Sequence, residues 1–123
     1  MNTKIIINLF FVFAVICTAQ EMTNVQVLPF ETKKEMMKYM KKPVSKSLGV
    51  KCKYCHNIKD YSDDSNPHKL VAREMMRMVE SMNVHLDSAF TAGKKAGIAD
   101  WNNLPKVECW VCHKSTTDVE FQK

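Results

Sequence analysis

A mainly α fold, built twice from a helix, a turn and a Cys-X-X-Cys-His pentapeptide, is what this 123-residue sequence predicts. Three observations carry the prediction. The pentapeptide occurs as Cys52-Lys53-Tyr54-Cys55-His56 and again as Cys109-Trp110-Val111-Cys112-His113. Val71, Met75, Met78 and Met82 recur at the spacing of a single helical face. No stretch alternates apolar and polar residues for long enough to make a strand.

Taken in order, residues 1–19 read as a secretory signal rather than as part of the domain. Lys4 is a short positive region, residues 5–16 are apolar, and Cys17-Thr18-Ala19 offers small residues before Gln20. The apolar run is short for spanning a bilayer. Lipidation at Cys17 is the rival, but Ile16 is a poor fit to the small residue such processing prefers. Export also resolves the cysteine count. Of five cysteines, Cys17 leaves with the signal and four remain in two pairs. The expected location is periplasmic or otherwise outside the cytoplasm.

Residues 20–31 form a leader, and residues 32–123 the domain. Thr32-Lys33-Lys34-Glu35 matches a capping box, so a helix starts there and carries Met36, Met37 and Met40. Pro43 lacks an N–H and clashes with the preceding turn, which predicts a kink followed by a turn through 44–48. Gly49 suits the left-handed position that ends a helix. Asn66-Pro67 is the next start signal, an N-cap followed by proline at the first helical position. The longest helix follows, to about 83 and as far as 90, with Gly93 as its stop. Residues 94–105 read as a loop with one further turn around Ile98 and Trp101, and the tail from Lys114 as frayed.

The pentapeptide spacing has a chemical reason. Positions i, i+3 and i+4 of a helical turn share a face. Two thiols three apart can add to the two vinyl groups on one porphyrin edge, and the next histidine reaches the iron as its proximal ligand. Cys-X-X-Cys-His is thus the attachment signature of haem c. Cys52, Cys55, Cys109 and Cys112 would hold two haems covalently, with His56 and His113 as iron ligands. A zinc site of four thiolates is the competing reading, and it leaves both histidines unexplained. A redox dithiol lacks its βαβ context. Two porphyrins would supply much of the apolar surface that so short a domain packs around.

Charge excludes little. The formal net charge is +5, and without Lys4 the balance is 17 basic against 13 acidic residues, or +4. Four haem propionates would cancel most of that, so nucleic acid is not an expected partner. Lys33, Lys34, Lys38, Lys41, Lys42, Lys46, Lys51 and Lys53 form a solvated face, with steering of an acidic redox partner as the functional alternative.

Several stretches resemble one family. They are Met40-Lys41-Lys42, the run from Leu48-Gly49-Val50 through the first motif, Ala72-Arg73-Glu74-Met75 with the residues on to Asn83, and Val107-Glu108 leading into the second motif. All are similar to the cytochrome c subunit of photosynthetic reaction centres. The resemblance implies one dihaem half of that four-haem subunit, acting as an electron carrier rather than an enzyme. It also implies a methionine on the helix before each motif as sixth ligand: Met40 for the first haem and Met75 for the second. The sequence departs from the pattern in three places. Pro43 falls beside Met40, Lys114-Ser115 stands where Arg-Gly is common, and Ala89 lies near where one haem of the full subunit takes a histidine.

Methionines at helical spacing also serve as flexible core filler. Met37 and Met78 are therefore substitutes for the two proposed ligands, and His68 and His85 are rivals that would lower the potential. The expected function is an exported dihaem cytochrome that passes single electrons between redox partner proteins, with peripheral membrane association and oligomeric state left open. A haem enzyme or gas sensor with one labile sixth ligand is the alternative.

Overall fold

The computed structural model describes residues 22–98 and 104–119. The signal segment, the turn placed at Trp101 and the end of the tail lie outside the described residues. Helix α1, Lys33–Tyr39, begins where the capping box placed it. Thr32 Oγ1 accepts the Glu35 N–H at 3.3 Å, and its hydroxyl donates to the Glu35 carboxylate at 2.7 Å. The carboxylate therefore braces the cap through the threonine hydroxyl.

Pro43 does not end this helix, and the turn expected over 44–48 is helical. Residues Met40–Val44 widen into a π-helical turn containing the proline, and α2, Ser45–Leu48, continues the rod. The Ser45 N–H reaches back five residues to the Met40 carbonyl. A wider turn absorbs the missing N–H and the ring's bulk without breaking the rod. Gly49 then ends it at φ +68°, as expected.

The first motif forms a 3-10 turn, Cys52–Tyr54, closed by the His56 N–H on the Cys52 carbonyl at 2.9 Å. After a polar loop, Asn66 caps α3, Pro67–Lys95, by accepting the His68 N–H at 3.0 Å. The helix has 29 residues and is thus about 43 Å long at 1.5 Å per residue. It runs past Gly93, contrary to expectation. Its stop is Gly97 at φ +71°, where the Gly97 N–H bonds the Lys94 carbonyl and the Ile98 N–H bonds that of Gly93. This pairing needs its left-handed residue at Gly97, whereas a helical glycine such as Gly93 costs only about 1 kcal/mol.

The second motif is α4, Cys109–His113. Lys114 and Ser115 leave it with φ +47° and +70°. Non-glycine residues reach that region only when held there. Ser115 is held: its N–H bonds the Ser47 carbonyl at 2.8 Å and its hydroxyl donates to the Lys46 carbonyl at 3.0 Å. The tail is therefore fixed at its start, not frayed. The rod from 33 to 48 packs on α4, so the helix that leads into the first motif also supports the second.

The fold is mainly α, with no strand among the described residues. It has an unusual interior. Among those residues no apolar side chain is buried, and the only buried ones belong to Ser47, Lys69 and Arg73. No described helix is long and apolar enough to cross a membrane.

Lys69 and Arg73 clamp the loop that follows the first motif. Lys69 Nζ donates to the carbonyls of Tyr61, Ser62 and Asp63 at 2.9–3.0 Å and pairs with Asp64 at 2.8 Å. Arg73 grips both Asp64 oxygens, at 3.0 and 2.9 Å. Hydrogen bonds from Arg73 first, then Asn24 and Lys69, hold the Asp64 carboxyl well below the usual carboxylate range. A depressed carboxyl stabilises the fold fully above its unfolded pKa of about 4, and that contribution is lost as the pH falls below it. Urea midpoints measured from pH 7 down to 3 should therefore fall less steeply in Asp64→Asn than in the parent.

Candidate haem attachment sites

Each motif is placed by local chemistry. Gly49 reverses the chain into Val50, whose N–H bonds the Ser45 carbonyl at 3.2 Å, and Cys52 follows two residues later. At the second motif, Asn83 on α3 acts as a clamp. Its side-chain amide donates to the Val107 carbonyl at 3.0 Å and accepts the Val107 N–H at 2.7 Å. A side-chain amide here pairs with a peptide as a neighbouring strand would, fixing the approach to Cys109. Asn83→Ala leaves both Val107 groups unpaired and should cost about 1–3 kcal/mol, read as a lower urea midpoint of the holoprotein.

The four cysteines are free thiols, Cys52 and Cys112 exposed and Cys55 and Cys109 half-buried. Burial pushes the Cys55 and Cys109 thiols above their ordinary pKa. Among the described residues no three His, Cys, Asp or Glu side chains gather closely enough to hold a metal ion. The two Cys-X-X-Cys pairs therefore do not converge, which removes the geometric basis of a four-thiolate zinc site.

The histidines are oriented for iron. His113 Nδ1 lies 3.0 Å from the Thr116 carbonyl. That bond places the proton on Nδ1 and leaves Nε2 as the ligating lone pair. His56 turns its Nδ1 inward, where it is buried without a well-formed hydrogen bond. Burial lowers the His56 pKa first, the charges of Lys69 and Arg73 lower it further, and the nearby Tyr61 backbone partly offsets them. The Tyr61 ring packs beside it, centroids 5.2 Å apart. His56 turns Nδ1 to a buried position and His113 turns it to a backbone carbonyl, which in each case leaves Nε2 for iron.

The methionines occupy different settings. Met40 is half-buried at the start of the π turn, and Met37 is half-buried one turn earlier. Neighbouring Tyr39 is raised in pKa by burial, then by nearby Cys109 and Glu108, so this end of α1 abuts the second motif. Met75 is 43 % exposed and shares its face of α3 with Val71, Met78 and Met82, all exposed. Arg73 stands about 200° round the helix from Met75. The apolar stripe thus points away from the polar clamp face, leaving a run of thioethers open to an apolar group. His68 and His85 are exposed, their Nδ1 atoms beside Asn66 Oδ1 and the Ser81 carbonyl respectively.

Four positioning residues were not legible from the sequence. No motif marked Lys69, and Arg73 stood out only within the Ala-Arg-X-Met stretch. Asn83 ends that same stretch, and only its place there singled it out. Ser115 gave no signal.

Paired thiols on a helical turn, an adjoining imidazole with Nδ1 turned inward, and a helical fold lacking an apolar interior together define a c-type cytochrome. The chain belongs to the photosynthetic reaction centre cytochrome c subunit family, whose family model matches residues 14–119. It is similar to cytochrome c-554 of Chloroflexus aurantiacus, with 35% identity over 92 residues. That match covers 75% of this chain and 20% of the relative, so the chain spans about a fifth of that protein's length. No solved structure matches. The family is one of electron carriers that hold haem c covalently.

Proposed function

We propose that the chain is an exported dihaem c-type cytochrome carrying single electrons between redox partner proteins. Cys52 and Cys55 bind one haem and Cys109 and Cys112 the other. His56 and His113 are the proximal ligands, and Met40 and Met75 complete the coordination. The observation that carries this reading is the pair of histidines, each with Nδ1 turned from solvent or bound to a carbonyl, next to two cysteines on a helical turn. Haem iron supplies the one-electron couple. The chain positions the two imidazoles, presents soft thioethers that favour the reduced iron, and limits water's access.

A pyridine haemochrome assay with intact-protein mass tests the count. Two haems are expected in the parent and one in Cys109→Ser/Cys112→Ser. A parent without covalent haem would end the proposal. The second reading, a labile ligand at one iron, draws on the π turn beginning at Met40. Fast carbon monoxide binding to one reduced haem would favour it, and no binding favours the carrier.

A further inference from the structure

The second half of α3 has two unlike sides. Val79, Asn83, Leu86, Phe90 and Gly93 are half-buried and follow one another along one side. Val84, Asp87, Ser88, Thr91, Ala92 and Lys95 are all exposed and line a shallow groove. That groove lies about 150° round the helix from the half-buried side and about 140° from the methionine stripe. The Ser88 hydroxyl bonds the Val84 carbonyl of the same helix. Among the described residues no hydrogen bond or ion pair joins this face to another element.

The charges on the face are opposite and unpaired. Neither Asp87 nor Lys95 has an opposite charge three or four residues away, the spacing that pairs Arg77 with Glu74. Eight positions separate them, about 12 Å along the axis, which is too far for them to pair with each other. A partner of one charge sign would be attracted by one of them and repelled by the other.

We infer that this face is where two copies of the chain pair, antiparallel, about a two-fold axis that passes Thr91. In that register Asp87 of each copy faces Lys95 of the other, and Val84 of each faces Ile98 of the other. The face is thus complementary to itself, as a two-fold interface requires. Val84 and Ile98 are 59 % and 77 % exposed, so pairing also takes apolar surface out of water. Ser88, Thr91 and Ala92 are small and let the two helices approach closely. Because the methionine stripe points elsewhere, haem on the proposed reading does not compete for this face. The paired faces are smaller than the roughly 1,600 Å² of a standard interface. The dimer is accordingly weak, with a dissociation constant on the order of 100 µM.

Sedimentation equilibrium on the purified full chain, from about 1 µM to about 1 mM, tests this. A monomer–dimer equilibrium that salt weakens is expected. Asp87→Lys alone and Lys95→Asp alone each set like charges opposite one another, and symmetry counts each change twice. Each should raise the dissociation constant at least about tenfold. Asp87→Lys/Lys95→Asp restores both pairs and should return to within about threefold of the parent. An equimolar mixture of the two single variants should associate as well, since each supplies the charge the other lacks. A parent that stays monomeric throughout would overturn the inference. So would a dimer indifferent to both single changes, because its contact lies elsewhere. Loss in the singles without recovery in the double and the mixture would overturn the antiparallel register. If circular dichroism shows that the charge variants do not fold, Thr91→Cys and Glu80→Cys replace them. Both positions are exposed on α3, but only residue 91 meets its own copy. Diamide oxidation should link Thr91→Cys into a dimer at least about tenfold faster than Glu80→Cys, and equal rates would count against the pairing.

Discussion

Made without haem, the chain should melt with no cooperative transition. A folded domain of this size normally draws its stability from apolar side chains removed from water, at about 25 cal/mol per Å². Here none of the described apolar side chains is buried, and the stripe residues Val71, Met75, Met78 and Met82 remain 41–54 % exposed. The polar contacts described include helix caps, the Lys69–Arg73–Asp64 clamp, the Asn83 pairing with Val107 and the Ser115 bonds to Ser47 and Lys46. Net hydrogen bonds contribute only about 1 kcal/mol each, against an ordering cost of about 1–2 kcal/mol per residue. On the proposed reading, haem takes the role of the missing interior. Circular dichroism at 222 nm on protein with all four motif cysteines changed to serine should show a shallow, sloping loss of helix. A sharp sigmoidal melt would contradict this account.

Gly49→Ala should destabilise the holoprotein by about 2–5 kcal/mol, the sum of left-handed strain and overpacking. At φ +68° any Cβ is strained, and this one would lie 2.2 Å from the Ser115 carbonyl oxygen. The neighbour is backbone, so no side chain can swing aside. Gly97→Ala is the internal comparison, since φ is +71° there but nothing lies within 4 Å. It should cost only the strain, about 1–2 kcal/mol. Urea midpoints of the two variants separate the contributions, and equal losses would mean that the Ser115 contact is unimportant.

The motifs and the helices were legible because their signals are local. Thr32 with Glu35, Asn66 with Pro67, and Gly49 each act within one turn of chain. Misreadings arose where a longer relation decided the outcome. Pro43 was expected to bring a kink and then a turn, but a single wider turn let the helix continue over 45–48. Gly93 carried the right residue type, yet the six-residue ring of hydrogen bonds closed at Gly97. Nothing local marks Lys69 and Arg73 as buried, because their carbonyl and carboxylate partners lie in a loop whose path no periodicity reveals. The methionine stripe was found, but which side of the molecule it faces depends on Asn83 and Arg73 turning the other side of α3 inward. Ser115 depends on a contact 69 positions away, which no local pattern encodes.

That distant contact has a consequence for the order of folding. Joining Lys46 to Ser115 closes a loop whose entropic cost grows as (3/2)RT ln n, about 4 kcal/mol for this length. The bond therefore forms late, once α3 and the Asn83 clamp have shortened the free chain between the two ends. Until then the Lys46 and Ser47 carbonyls of α2 stay hydrated, and the turn at Gly49 lacks its backing. The C-terminal end of the described chain thus latches its opening helix, and a nascent chain halted before residue 115 would carry the first pentapeptide on an unsecured support.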